Sequence, residues 1–190
     1  MAFDLLFQHE TDADWSMNPG ARGTSAPASR RPLPLEFTPT ERKTLKMLEP
    51  STASFAVALV GWARGSGIPA RLSHVAIYTP AESAAHYEGG RSGIKPGRLD
   101  WHNVGRAFHI VLPTLPGGEP DRDTYTVIGR RARELGGEWL GDKPVKTVRG
   151  IIFDTAHFEY HPNFDIATYR KSELAQRELR QAQKRARTYA

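Results

Sequence analysis

The stretch 101–110 constrains the fold of this chain more than any other, because it places two histidines around a glycine. The segment 106–112 has the composition of a strand, in which successive side chains point to opposite faces. His102 and His109 are seven positions apart, an odd separation that a regular strand would direct to opposite faces. Gly105 can adopt an irregular bend between them. The sequence therefore predicts a turn followed by a strand, with both imidazoles on one side.

A third histidine, His157, follows Asp154 by three positions, and the two side chains converge if the segment forms a turn. Neutral imidazole is a common zinc ligand, and a catalytic zinc site needs three protein ligands and an open position. The chain has no cysteine, so any transition metal must bind to histidine and carboxylate. His102, His109 and His157 are the candidate ligands, with Asp154 placed to handle a proton. A packed core histidine at 109 and a buried Asp154–His157 ion pair are the alternative interpretations.

The hydrophobic pattern predicts an α+β domain with short elements. Helices are expected at 38–48, from Ser51 or Thr52 to Arg64, at 80–87, at 123–135 and from 166 onward. Strands are expected at 72–78, 106–112, 138–140 and 151–153, and 157–160 is expected to approach an edge strand.

Three regions differ in composition. Residues 1–36 are rich in Pro, Gly, Ser and Ala without periodicity, which predicts an extended or docking arm. Residues 37–165 hold the apolar material of the domain, and 166–190 form a basic helix. From Arg170 to Ala190 there are seven Lys or Arg against two Glu, and the net charge of the chain is +5. The basic helix favours a polyanion or is simply solvated.

Several function classes are disfavoured. No apolar run approaches the roughly 18 residues of a membrane span. The N-terminus has an early acid and no basic segment, so we expect no secretory signal and synthesis in a cytoplasm. No aromatic platform or motif accompanies the basic charge, which argues against specific nucleic-acid binding.

The stretch 102–108, His-Asn-Val-Gly-Arg-Ala-Phe, resembles the S-x-H-x-x-G-x-A-x-D motif of the zinc D-alanyl-D-alanine carboxypeptidase and L-alanyl-D-glutamate endopeptidase family. Residues 154–159, Asp-Thr-Ala-His-Phe-Glu, are similar to its D-x-P-H-F segment. Residues 135–139 resemble the glycine-tryptophan run of the phage endolysin branch, and the similarity spans about residues 40–162. The resemblance implies a small antiparallel sheet with flanking helices.

The resemblance also implies roles for individual residues. His102 and His157 match zinc ligands, and Asp154 matches the base that activates the attacking water. His109 stands where the family has an aspartate ligand, and Asp100 stands where it has a serine.

The family's substrate-binding arginine and its glutamine have no counterpart in residues 78–83. Arg91 or Arg98 can substitute for the arginine, and Trp101 is a candidate wall of the cleft. Asp100 and Glu159 are candidates to orient metal ligands through hydrogen bonds.

These features predict a zinc-dependent peptidoglycan peptidase, either a free phage endolysin or a lysin carried in a virion. Such a protein would act on the cell wall or reside in a virion, with residues 1–36 contacting other virion or tail proteins. The alternative is a structural subunit of a phage or phage-like particle that has kept the peptidase fold and lost the activity. In that case the arm and the basic helix hold it in the assembly.

Overall fold

The computed structural model describes residues 36–73, 77–114, 121–161 and 164–189. The predicted arm therefore lies outside the described residues, apart from Glu36. The elements in chain order are α1 Pro39–Met47, α2 Pro50–Gly65, β1 Arg71–Leu72, α3 Pro80–Glu88, β2 Ala107–Val111, α4 Arg122–Glu134, β3 Glu138–Trp139, β4 Val145–Thr147, β5 Gly150–Ile152, β6 His157–Glu159, α5 Ile166–Arg170 and α6 Glu173–Tyr189. The predicted α+β class, with a small antiparallel sheet and flanking helices, is confirmed.

The helices begin at capping residues that satisfy their first N–H groups. Thr38 and Glu41 form a capping box at the start of α1. For α2 the prediction of a Ser51 or Thr52 cap is wrong, because the Glu49 carboxylate accepts the backbone N–H of both residues, at 2.9 and 3.2 Å. Within the described ranges, no helix is both long and apolar enough to cross a membrane.

The main sheet has the strand order β1-β2-β6-β3, and each neighbouring pair is antiparallel. β4 and β5 form a separate hairpin. The prediction that 157–160 lies near an edge is wrong, because β3 pairs with the far side of β6 and makes it a central strand. The predicted strand 72–78 is shortened to β1: residues 74–76 lie outside the described part, and Ile77 and Tyr78 are not in a strand.

The two faces of the sheet have different roles. Phe108 and Ile110 of β2 and Phe158 of β6 are fully buried, and they pack in one core with residues of α2 and α4. Because side chains alternate along a strand, the neighbours of these residues point to the opposite face. His109, His157 and Glu159 therefore lie together on that face, which forms the floor of a cleft.

The C-terminal helix α6 packs against the domain. Its Ala175 and Ala182 are fully buried. Glu178 accepts two hydrogen bonds from the guanidinium of Arg106, both at 2.7 Å, and one from the hydroxyl of Tyr169 at 2.6 Å. Four basic side chains lie on the exposed side of the helix: Arg177, Arg180, Lys184 and Arg187. One face of α6 thus holds Arg106, the residue that precedes β2. The opposite face is the basic surface expected from the sequence.

Candidate metal centre

The register of the sheet brings two histidines together. His109 of β2 and His157 of β6 are directly opposite each other in the antiparallel pair. Opposite residues have Cβ atoms about 5 Å apart, which lets long side chains on one face meet. The Nε2 atom of His109 lies 3.3 Å from Nδ1 of His157.

His102 reaches the same point from the turn 101–105 that precedes β2. Gly105 has φ +76°, a backbone conformation that residues with a Cβ rarely adopt. It supplies the bend inferred from the odd spacing of His102 and His109. The turn is held by Asp100, whose carboxylate accepts the backbone N–H of Asn103 at 2.9 Å. As a result, Nε2 of His102 lies 3.3 Å from Nδ1 of His157.

The three ring nitrogens have the spacing of a metal site. Zinc–nitrogen bonds of about 2.05 Å in tetrahedral geometry place two ligand nitrogens about 3.3 to 3.4 Å apart. The two distances from His157 Nδ1 are both 3.3 Å, and all three ligand atoms lie within 4.8 Å of one another. His102 and His157 are buried, and His109 is partly exposed toward the cleft. The set fits a zinc ion bound by three imidazoles with one open position.

Glu159 hydrogen-bonds to the ring of His157. Its Oε1 lies 2.8 Å from Nε2 of His157, so in the neutral ring Nε2–H donates to the carboxylate and Nδ1 keeps its lone pair. Burial opposes ionisation of Glu159, but hydrogen bonds from His157 and His161 outweigh it and lower its pKa to about 2. Burial also opposes charging of His157, yet the carboxylate raises its pKa above the ordinary value.

His161 extends the same network. Its Nε2 donates to Oε2 of Glu159 at 2.9 Å, and its ring stacks on Trp101 with centroids 4.2 Å apart. His161 is not a surface residue, since only 11% of its side chain is exposed. Alternation along the chain from His157 to Glu159 and onward would have placed it on the same face.

Asp154 lies beside the three imidazoles. Its Oδ2 is 3.7 Å from Nε2 of His109 and 3.8 Å from Nδ1 of His157. The backbone N–H of His157 donates to the carbonyl of Asp154 at 3.2 Å, which is the turn that the spacing predicts. Burial raises the pKa of Asp154, but the contacts with the two histidines outweigh this effect and lower it. The carboxylate is therefore ionised at neutral pH and, with 32% of its side chain exposed, accessible from the cleft.

Asp100 has a different environment from Asp154. Burial raises its pKa, although backbone N–H groups of Asn103 and His102 hydrogen-bond to the carboxylate. These bonds support the backbone of the turn that carries His102. The ring of Tyr78 packs on His102, with centroids 4.3 Å apart. Both contacts restrict the position of the His102 ring.

The cleft above these residues has a volume of about 670 Å³. Arg91 and Trp101, predicted to contact substrate, both line it. Arg98 is not among the residues that line it, and its contact with substrate stays a prediction. Arg170 lines the cleft instead, from the end of α5, and sequence reasoning missed it because it follows the segment that resembles the peptidase family. Six apolar side chains form much of the remaining wall: Ile94, Leu140, Val145, Ile152, Phe153 and Ile166.

Comparison with known proteins gives one structural similarity. No protein-family model matches the chain, and no curated protein matches it either. The structure is similar to the crystal structure of the Serratia marcescens L-Ala D-Glu endopeptidase ChiX, with 23% sequence identity and a TM-score of 0.46. The match covers 66% of this chain and 89% of that one.

Proposed function

We propose that this protein is a zinc-dependent peptidase that hydrolyses an amide bond in the peptide stem of peptidoglycan. The observation that carries the proposal is the convergence of three imidazoles beside one carboxylate. Nitrogen-rich ligation favours zinc over magnesium or calcium, which prefer oxygen ligands. His102, His109 and His157 would hold the ion, and Glu159 would fix the tautomer of His157.

When bound, zinc would polarise the scissile carbonyl and lower the pKa of a water molecule in the cleft. Asp154 is the general base in this proposal, because it is ionised, reachable from the cleft and within 4 Å of two of the candidate ligands. It accepts the proton of the attacking water and, once protonated, can return it to the leaving amine. The apolar cleft walls hold the flanking substrate groups and reduce access of bulk water.

The substrate class is supported by the sequence motifs around residues 102–108 and 154–159. Their resemblance to the endolysin branch favours a phage lysin, either free or carried in a virion with residues 1–36 docked on a partner. The degenerate structural subunit is the competing function, suggested by the histidine at 109 and by the missing arginine in 78–83. Against it, the three ligand candidates, the candidate base and the orienting Glu159 are all assembled.

Purified peptidoglycan tests the proposal through release of new amino groups. Zinc-loaded protein should release them, and Asp154→Asn, which preserves side-chain shape, should reduce the rate by about 10²- to 10⁴-fold. Asp142→Asn is the matched control, since Asp142 is 47% exposed and pairs with Arg133 away from the cleft. Absence of amine release by protein that binds zinc would refute the peptidase and leave the structural subunit.

A further inference from the structure

We infer that Glu138, Glu159 and His161 form a second divalent-cation site, which takes zinc or a related first-row ion, beside the three-histidine centre. The inference goes beyond the proposed function and does not require the protein to be a peptidase. The three residues lie on two neighbouring segments of the sheet. Glu138 of β3 is directly opposite Glu159 of β6 in the antiparallel pair, and His161 follows Glu159 by two positions. Residues two apart in an extended chain share a face, so the three side chains meet.

Each carboxylate has one oxygen bonded elsewhere and the other near His161. Glu159 bonds to His157 through Oε1 at 2.8 Å, and its Oε2 lies 2.9 Å from Nε2 of His161. Lys143 bonds to Oε2 of Glu138 at 2.6 Å, and Oε1 of Glu138 lies 3.8 Å from the same nitrogen of His161. The three side chains can therefore each contribute one ligand atom, within 4.8 Å of the others.

The distances bracket the spacing of ligands around a tetrahedral ion. Metal–ligand bonds of about 2.0 to 2.2 Å place two ligand atoms about 3.3 to 3.6 Å apart. The separations of 2.9 and 3.8 Å from Nε2 of His161 fall on either side of that range. Glu138 has 42% of its side chain exposed, so it can adjust and water can complete the coordination. The ring of His161 is held in place by Trp101, on which it stacks with centroids 4.2 Å apart.

A proton on His161 satisfies only one of the two carboxylates. Its Nε2–H donates to Glu159, but the 3.8 Å to Glu138 is beyond hydrogen-bond distance. Carboxylates directly opposite each other on a sheet also repel. A divalent ion in place of this proton would bind both oxygens, while the neutral ring carries its proton on Nδ1. The arrangement thus offers a dication one more ligand than it offers a proton.

The ligand set determines the class of ion and the order of filling. One imidazole nitrogen and two carboxylate oxygens suit zinc and the neighbouring first-row ions. The site has fewer nitrogen ligands than the three-histidine centre, and the ammonium of Lys143 competes for Glu138, so we expect weaker binding there. The competing pair is exposed, with 52% of the Lys143 side chain accessible, and such pairs contribute little. The second ion should therefore bind after the first.

Zinc stoichiometry tests the site. The full chain is dialysed against rising concentrations of free zinc, and the bound metal is measured by elemental analysis. Wild type should bind one equivalent tightly and a second at higher zinc. Glu138→Gln and His161→Ala should each lose the second equivalent and keep the first, whereas Glu134→Gln, at an exposed glutamate of α4, should keep both. A second equivalent that survives both substitutions would overturn the inference.

A variant without the first centre separates this site from the proposed function. His102→Ala combined with His109→Ala should still bind one equivalent of zinc, and adding His161→Ala should remove it. That result would support the second site even where the three-histidine centre and the peptidase proposal fail. Failure of the folded double variant to bind zinc, with the wild-type circular dichroism spectrum, would refute the site.

Lys143→Gln gives a test in the opposite direction. The substitution removes the competing ammonium and frees Oε2 of Glu138, so the second zinc ion should bind more tightly than in wild type. A purely structural role for the Glu138–Lys143 pair predicts no such gain. Unchanged or weaker binding of the second ion would contradict the assignment of Glu138 as a ligand.

Discussion

Glu178→Gln tests whether the C-terminal helix is an integral part of the domain. Glu178 and Arg106 have only 9% and 7% of their side chains exposed, and two bonds of 2.7 Å join them. Tyr169 donates a third bond to the same carboxylate. The substitution preserves shape but removes the negative charge, which leaves the buried guanidinium with only the more distant carboxylate of Glu49, at 3.6 Å, as an ionic partner.

Breaking a buried pair by changing one partner costs about 3 to 5 kcal/mol. Because glutamine can still accept one hydrogen bond, we expect a loss of about 3 kcal/mol in the free energy of unfolding at pH 7. Urea denaturation of the metal-free protein, monitored by circular dichroism, measures this loss. Burial opposes ionisation of Glu178, but the bonds from Arg106 and Tyr169 outweigh it and hold its pKa below the ordinary 4.5. The Glu178 carboxylate therefore contributes its full stabilisation above pH 4.5. The difference in unfolding free energy between wild type and Glu178→Gln should shrink as the pH falls below that value.

Glu134→Gln is the matched control. Glu134 also pairs with an arginine on a helix, at 2.9 Å from Arg131, but 62% of its side chain is exposed. An exposed pair contributes about 0 to 1 kcal/mol, so this variant should remain close to wild type. A loss below about 1 kcal/mol for Glu178→Gln, equal to that of the control, would refute the reasoning that burial makes the pair important.

Three further substitutions probe the candidate site. Gly105→Ala should lower the thermal unfolding temperature more than Gly97→Ala. Both glycines have positive φ, but only at position 105 would an added Cβ meet backbone, 3.0 Å from the nitrogen of Glu49. Equal losses in the two variants would contradict the close approach at position 105. Glu159→Gln should weaken zinc affinity about 10- to 100-fold in a chelator competition, whereas Glu138→Gln, with 42% of its side chain exposed, should not. Tyr78→Phe should keep zinc affinity and Tyr78→Ala should reduce it, because only the ring packs on a candidate ligand; equal affinities would exclude that role.

The local pattern of the sequence was sufficient to predict much of the candidate centre. The spacing of His102, Gly105 and His109 implied a bend followed by a strand, and the glycine has the required positive φ. The three-residue step from Asp154 to His157 implied a turn, which its backbone hydrogen bond forms. These inferences succeeded because they depend on backbone geometry over fewer than ten residues.

Contacts between distant segments were not accessible in the same way. The register that sets His109 opposite His157 joins two strands 48 residues apart in the chain, and the sequence indicates only that each strand exists. Arg170 reaches the cleft because α5 packs near Leu99, 71 residues earlier in the chain. The choice of Arg170 over Arg98 as a cleft residue is therefore a property of tertiary packing.

The metal content of the purified protein tests the central claim most directly. Elemental analysis of protein never exposed to chelator should find about one zinc per chain, and His102→Ala and His157→Ala should each abolish it while retaining the wild-type circular dichroism spectrum. His86→Ala is the control, because His86 lines the same cleft but is not one of the three converging histidines. Folded wild-type protein without zinc, which also fails to bind added zinc, would contradict the account.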